Sequence, residues 1–261
     1  MCPAITLTGR ELISSSAPCA NLSSSQAREY RRGERPWRWL IRGWTAKRER
    51  IPGTVAGVRT DQPLAALTFD DGPHPVYTPQ LLEILRRHKA QGTFFMIGEA
   101  AQKHPEVVAL VAQSGHAIGN HTWDHPYLPG TRGKERRRQI RACQRTLAPY
   151  GKERLFRPPY GAQSWASYID ARWLGYKVIG WNVEPKDWTA QSPSEMAERL
   201  AREIRPGGIV LLHDAIYRSN QPTPQYNREP MLAGLELFLG RFGQRYRFVT
   251  VPELLRSGRA E

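Results

Sequence analysis

From residue 64 onward, short apolar runs alternate with stretches whose apolar positions recur every three or four residues. The runs fall at 64–69, 93–97, 116–119, 155–156, 176–181, 209–213 and 246–251. Short runs with little polar alternation are the pattern of strands buried on both faces. The stretches between them carry helix punctuation. Thr78 is placed to N-cap a helix, with Pro79 in its first turn and Leu81, Leu82 and Leu85 facing inward. Ser192 and Glu195 form a capping box around Pro193, followed by Met196, Leu200 and Ile204 at i, i+4 and i+8. Val107, Leu110 and Val111 precede Gly115, a natural C-cap. Ile140, Cys143 and Leu147 mark another inward stripe, which makes Cys143 a core residue. About seven strand–helix units predict a parallel α/β fold, either an open doubly wound sheet or a closed barrel. No G-x-G-x-x-G follows the first strand, which argues against a dinucleotide-binding sheet.

Residues 1–60 follow a different pattern. Serine runs at 14–16 and 23–25 and a lack of periodicity read as disorder over 1–30. Residues 31–50 interleave arginine with tryptophan (Arg35, Trp37, Arg38, Trp39, Arg42, Trp44), a composition suited to a short interfacial helix, although Gly43 and the missing apolar stripe weigh against one. Residues 1–60 hold 11 Lys/Arg against 4 Asp/Glu, while the remainder of a chain of net charge +14 holds 27 against 20. The segment therefore reads as a basic, largely disordered arm on a domain spanning 61–258. Its partner would be an anionic surface, membrane headgroups or an acidic wall polymer, unless it is merely a solvated extension.

No stretch reaches the roughly 18 apolar residues of a membrane helix, and Arg10, Arg38 and Arg42 interrupt every candidate signal-peptide core. The expectation is a cytoplasmic location, or the cell envelope if the export signal lies outside this chain or the attachment is peripheral. Cys2, Cys19 and Cys143 are too few and too scattered for a disulfide framework or a C-x-x-C zinc site. A monomer is expected.

Polar clusters follow the predicted strands: Asp70-Asp71-Gly72-Pro73, His121-Thr122-Trp123-Asp124-His125, Arg157-Pro158-Pro159-Tyr160, Glu184 through Trp188, and His213-Asp214. In a parallel sheet or barrel all strand C-termini share one face, so five separated clusters become neighbours. Singly, each has a plain structural reading: a solvated turn at Asp70-Asp71, a hydrogen-bonded histidine at His213, a surface Arg157, a core Trp188. His121 and His125 have metal-ligand spacing, but Pro126 disfavours a helix there, so a turned loop is expected. Thr122 excludes the H-E-x-x-H pattern.

Taken in order, these motifs resemble the polysaccharide deacetylase family, the NodB-homology domain of carbohydrate esterase family four. Thr68-Phe69-Asp70-Asp71-Gly72-Pro73 matches its first motif and His121-Thr122-Trp123-Asp124-His125 its second. Arg157-Pro158-Pro159-Tyr160, Glu184-Pro185-Lys186-Asp187-Trp188 and Leu211-Leu212-His213-Asp214 match the remaining three. The likeness covers about residues 62–256 and omits the arm. It implies a distorted (β/α) barrel of seven to eight parallel strands. It further implies a divalent metal, usually zinc, with cobalt or nickel as alternatives, on Asp71, His121 and His125. Asp70 would be the general base, aimed by Arg157. His213 would be the general acid, the Tyr160 backbone N–H an oxyanion donor, and Trp188 and Leu211 the walls of an acetyl pocket. One position departs from the family: Glu184 stands where an Asp usually tunes the catalytic histidine, so either Glu184 or Asp187 would take that part.

The resemblance implies a metal-dependent hydrolase that removes N-acetyl groups from a GlcNAc-containing saccharide, peptidoglycan or chitooligosaccharide. The alternatives are an O-acetyl esterase acting on xylan, or a non-catalytic binding or assembly protein that uses its basic arm on anionic polymers. No nucleic-acid-binding motif is present, and no nucleic-acid partner is expected.

Overall fold

The computed structural model describes residues 51–189, 191–217 and 227–261. The expectations for residues 1–50 lie outside the described residues, as does most of the segment 217–228, whose Asn, Gln, Tyr and Pro content reads as one wall of a sugar groove or as an ordinary surface loop.

Nine strands and eight α-helices succeed one another in the described residues: β1 (Val58–Arg59), β2 (Leu64–Asp70), α1 (Tyr77–Arg87), β3 (Gly92–Met96), α2 (Gly98–Lys103), α3 (Pro105–Gln113), β4 (Ala117–Asn120), α4 (Gly133–Leu147), β5 (Leu155–Phe156), α5 (Trp165–Trp173), β6 (Lys177–Val178), α6 (Pro193–Glu203), β7 (Ile209–His213), α7 (Glu229–Phe242), β8 (Arg247–Phe248), α8 (Val251–Arg256) and β9 (Arg259–Ala260). Seven of the strands form one parallel sheet in the order β6-β5-β4-β3-β2-β7, with β8 beside the start of β2. The sheet curls on itself. The chain leaving β6 reaches the far edge, where Val183 bridges Val210 in parallel and the Leu211 amide donates to the Val183 carbonyl at 2.9 Å. This is the distorted barrel expected of the sequence.

Alternation along β2 separates two cores. Ala65, Leu67 and Phe69 pack outward against the helices with Leu81, Leu85, Leu200 and Phe238. Leu64 and Ala66 pack inward with Phe95, Leu155, Ile179 and Ile209. Strand side chains alternate with period two, so Thr68 and Asp70 fall on the inward face. On β7 the same rule sets Leu211 and His213 inward with Ile209. Asp70 and His213 are register partners across the β2–β7 pair, so two inward polar groups meet at the C-terminal rim.

Residues 51–60 belong to the barrel rather than to the arm. Ile51, Val55 and Val58 are buried, β1 pairs antiparallel with β9, and Val55 bridges Ile179. The compact unit accordingly takes in residues 51–60, which the boundary drawn from charge leaves to the arm. Helix α6 has the capping box expected of Ser192 and Glu195. Helix α1 starts differently from the expectation. Its N-cap is Val76, and Thr78 lies inside the helix, where its hydroxyl accepts the His74 amide and donates to the buried Asp214 carboxylate. No helix among the described residues is long and apolar enough to cross a membrane.

Candidate active site

The rim of the barrel gathers all five polar clusters. Asp70 ends β2, and the chain then turns with Asp71 at φ 73°. That turn swings the second carboxylate out of the strand's alternation and toward the loop after β4. Gly72 is obligatory beside it, because a Cβ there would lie 2.3 Å from Asp214 Oδ2. The loop after β4 is held from below. The Asn120 side chain accepts the Thr122 amide at 2.9 Å and donates to the Ile140 carbonyl, while Gln139 Oε1 accepts the amides of Trp123 and Asp124. Thr122 and His125 both take positive φ, which curls the loop so that His121 and His125 face Asp71, as the turned-loop expectation required. Of six described non-glycine residues with positive φ, five lie in the rim clusters (Asp71, Thr122, His125, Tyr160 and Lys186). Such conformations cost of order 1–3 kcal/mol each and persist where surrounding structure dictates them.

Three groups converge at the centre. Asp71 Oδ1 stands 3.4 Å from His121 Nε2 and 3.3 Å from His125 Nε2. One ligand atom from each of the three lies within 4.8 Å of the others, and all three residues are buried. Asp71 Oδ1 is buried without a hydrogen-bond partner, which is costly unless a further group occupies the space between it and the imidazoles. The His121 ring is oriented by a 2.8 Å hydrogen bond from Nδ1 to the Arg157 carbonyl, leaving the Nε2 lone pair turned toward Asp71. Burial holds the His125 imidazole down to about 3, against the pull of Asp71, so it is neutral at physiological pH. Burial pushes the Asp71 carboxyl up, but the imidazoles of His125, His121 and His213 outweigh it and keep the group below the usual carboxylate range. An anionic carboxylate oxygen and a neutral imidazole nitrogen are donors of the kind a divalent metal takes.

Flanking this centre on one side is Asp70. Arg157, fully buried, donates through Nη1 to Asp70 Oδ1 and to Thr68 Oγ1, both at 2.7 Å, and through Nη2 to the Gly180 carbonyl at 2.9 Å. The guanidinium also lies over the Phe95 ring at 4.1 Å. Asp70 Oδ2 stays 3.9 Å from His121 Nε2. On the other side is His213. Asp187 Oδ1 accepts from its Nδ1 at 3.0 Å, and Oδ2 from its backbone amide at 2.9 Å. Burial alone would lower the His213 imidazole. The Asp187 carboxylate, with Asp71 and Asp70 beyond it, overcomes that and raises it to about 9.

The chain belongs to the polysaccharide deacetylase family. The family model for polysaccharide deacetylases matches residues 57–179. A chitooligosaccharide deacetylase of Azorhizobium caulinodans is 41% identical over 63% of this chain and 80% of its own length. A peptidoglycan-N-acetylglucosamine deacetylase of Bacillus cereus is 37% identical over 76% of this chain and 91% of its own. Among solved structures, the Bc1960 peptidoglycan N-acetylglucosamine deacetylase superposes with a TM-score of 0.71 at 28% identity, covering 80% of this chain and 95% of that one.

Against this family background the structure corrects one residue. Glu184 and Asp187 are both expected beside His213 from the sequence; the contact is made by Asp187. The Glu184 side chain is half-exposed and its amide donates to Glu203 Oε2, whereas Lys186 at φ 57° turns the chain so that Asp187 points back to β7. Tyr160, also left-handed, sets its ring 4.4 Å from His125, and the Trp188 ring stands edge-on to His213 at 5.2 Å. Leu211 lies buried two residues below His213.

Sequence reasoning missed two contributors. Arg228 donates through Nη2 to Asp187 Oδ2 and through Nε to the His213 carbonyl at 3.1 Å. The Tyr217 amide donates to Asp71 Oδ2 at 3.0 Å, and its hydroxyl to Glu99 at 2.7 Å. Both flank the loop at 217–228, and no local pattern distinguishes a buried arginine from a solvated one there.

Proposed function

We propose that this chain is a hydrolase that releases acetate from N-acetylated GlcNAc units of peptidoglycan or chitooligosaccharides. One observation carries the reading: a buried Asp-His-His ligand set stands between a carboxylate held by Arg157 and a histidine held by Asp187. Asp71, His121 and His125 would hold a divalent metal. Their one-oxygen, two-nitrogen set suits zinc, with cobalt and nickel as competitors. Such an ion, when bound, lowers the pKa of water and polarises an acyl oxygen.

The remaining chemistry falls to the chain's own groups. Arg157 occupies Asp70 Oδ1, so Oδ2 is the oxygen that takes the water proton. Asp187 fixes the His213 tautomer by accepting from Nδ1, so Nε2 is the atom that gives a proton to the departing amine. An amide needs that proton, because an amine anion is a very poor leaving group, and each such transfer is worth about 10²–10⁴ in rate. A histidine raised to about 9 is protonated at neutral pH and ready for that step. Tyr160, Trp188 and Leu211 would bound the space for the acetyl group and the sugar.

The test is acetate release from peptidoglycan, chitooligosaccharides and acetylxylan side by side, before and after chelation and again after zinc is restored. The reading requires release from the N-acetylated substrates, lost on chelation and recovered with metal. Release from acetylxylan alone would replace it.

A further inference from the structure

Helix α5 is built inside out. The residues it buries are Ser167, Asp170 and Ala171, two of them polar. The residues it presents to solvent include Trp165, Ile169 and Trp173, exposed by 58%, 59% and 69%. These three follow at i, i+4 and i+8, so they form one ridge about 12 Å long at 1.5 Å per residue. Single exposed apolar side chains are ordinary on a protein surface, but an aligned set with two tryptophans is not.

Beside this ridge runs a cationic one. On α4, Lys134, Arg138, Arg141 and Arg145 are exposed at i, i+4, i+7 and i+11, a single helical face. The two helices are tied together by Arg136 and Arg137, both of which grip Asp170 on α5. The ridges meet where Arg141 lies over the Trp173 ring at 5.5 Å. Of the nearby carboxylates, Asp170 is engaged by those two arginines and Glu135 by Arg138, and Asp124 lies within electrostatic reach of Arg138. Arg172 adds a further exposed cation on α5 itself.

We infer that the joined outer faces of α4 and α5 form a docking surface for an anionic lipid bilayer, with Trp165, Ile169 and Trp173 entering the headgroup–acyl boundary and the α4 cations meeting the lipid charge. Tryptophan and aliphatic side chains flanked by arginine and lysine are the composition that seats a helix in that layer, and each cation near an anionic leaflet adds attraction. A second copy of the chain fits less well, because two-fold pairing of the apolar ridges would bring the two cationic rows together. A glycan fits less well too, since Ile169, midway along the ridge, has no flat ring for a sugar to stack on. This inference is independent of the proposed activity.

The test is flotation of the full chain with vesicles of phosphatidylcholine, alone or with phosphatidylglycerol added. Binding should require phosphatidylglycerol and weaken with salt. The double variant Trp165→Ser/Trp173→Ser should bind at least about tenfold more weakly, from the loss of two buried indoles. Arg141→Gln/Arg145→Gln should bind about tenfold or more weakly at low salt and differ less from wild type at high salt. Residues 1–50 are common to all three proteins, so the differences report the α4–α5 face. An unchanged thermal midpoint shows that each variant is folded, as expected for exposed positions. Wild-type vesicle binding by the tryptophan variant would overturn the inference. So would loss of binding to insoluble glycan without loss of vesicle binding, or a wild-type dimer by sedimentation that the tryptophan variant dissolves.

Discussion

The two flanks of the ligand set use the same device, an aspartate clamped by an arginine, in opposite ways. On the Asp70 side the proposed function makes the aspartate itself the reactive group. Arg157 takes one oxygen and is in turn fixed by Thr68, the Gly180 carbonyl and the Phe95 ring. On the His213 side the aspartate is a relay. Asp187 is clamped by Arg228 and spends its other oxygen on the histidine that faces the site. Under the proposed function the first arginine would position a proton acceptor, and the second would restrain a carboxylate that keeps a proton donor charged. Charge removal should therefore have opposite signatures on the two flanks, a loss of rate on one and a displacement in pH on the other.

The largest effect belongs to the Asp70 flank. Asp70→Asn preserves shape and the Arg157 contact but cannot accept the water proton. We expect kcat to fall by roughly 10²–10⁴ with bound metal retained. Asp71→Ala should abolish turnover by a different route and be recovered without metal. Metal content and rate on both purified variants separate the roles, and an Asp70→Asn protein that arrives metal-free would show that the two aspartates do not divide the work.

Asp187→Asn tests the other flank. Under the proposed function the protonated imidazole is the working form, so activity should decline as pH rises through its pKa. Removing the carboxylate that raises His213 to about 9 lowers that pKa, and the alkaline limb of the rate profile moves to lower pH. The same shift has a stability signature. A raised folded pKa contributes stability that is fully present below the unfolded value, about 6.5, and is lost as pH rises through about 9. The stability deficit of the variant should thus be greatest below about pH 6.5 and shrink toward pH 9, as followed by denaturant unfolding across that window. A constant deficit would mean that Asp187 is structural only.

Arg228→Gln sharpens the contrast because its sign is reversed. It removes a cation from the far side of Asp187 and leaves the carboxylate to act on His213 alone, so the alkaline limb should move to higher pH. Arg228 is nearly buried, and losing its hydrogen bonds should also cost about 1–3 kcal/mol of stability. A downward shift would show that Arg228 aligns Asp187 more than it restrains its charge.

These flanks were unequally legible in the sequence. The Asp70 flank sits on regular structure. Period-two alternation from Leu64 carries directly to Asp70, and Arg157 follows its strand by one residue, so spacing alone brings them to one rim. The parallel α/β class was legible for the same reason, as uniform apolar runs and capped helices, whereas the barrel was implied by the family resemblance. The His213 flank depends on backbone that spacing does not encode. Lys186 takes a left-handed conformation that no glycine announces, and it decides which of two carboxylates turns inward. Arg228 lies fifteen residues beyond His213 at the end of a loop, where burial follows from tertiary packing alone. Thr78 illustrates a related limit: its hydroxyl had two uses, a helix cap or a partner for Asp214, and a buried carboxylate across the rim decided between them. The outward face of α5 was missed because no helix was read over 165–173, and an apolar set at i, i+4 and i+8 does not say whether it faces a core or solvent.

The smallest expected effect is the most direct check on how the fourth motif sits. Glu184 is the position where the family's carboxylate is expected, and sequence alone gives it the same claim on His213 as Asp187. In the structure its side chain is half-exposed and its amide is tied to Glu203, while both Asp187 oxygens are committed to His213 and Arg228. Glu184→Gln removes one charge at nearly constant volume. Through solvent at the barrel's edge that charge is heavily screened from His213. The alkaline limb, metal content and unfolding midpoint should therefore all match wild type, in the same assays where Asp187→Asn moves the limb. If the limb moves in Glu184→Gln and stays put in Asp187→Asn, the motif has slipped by three residues in the working enzyme and the turn at Lys186 is not its active form. If it moves in neither, His213 is tuned from outside this loop, and the comparison between the two flanks loses its second half.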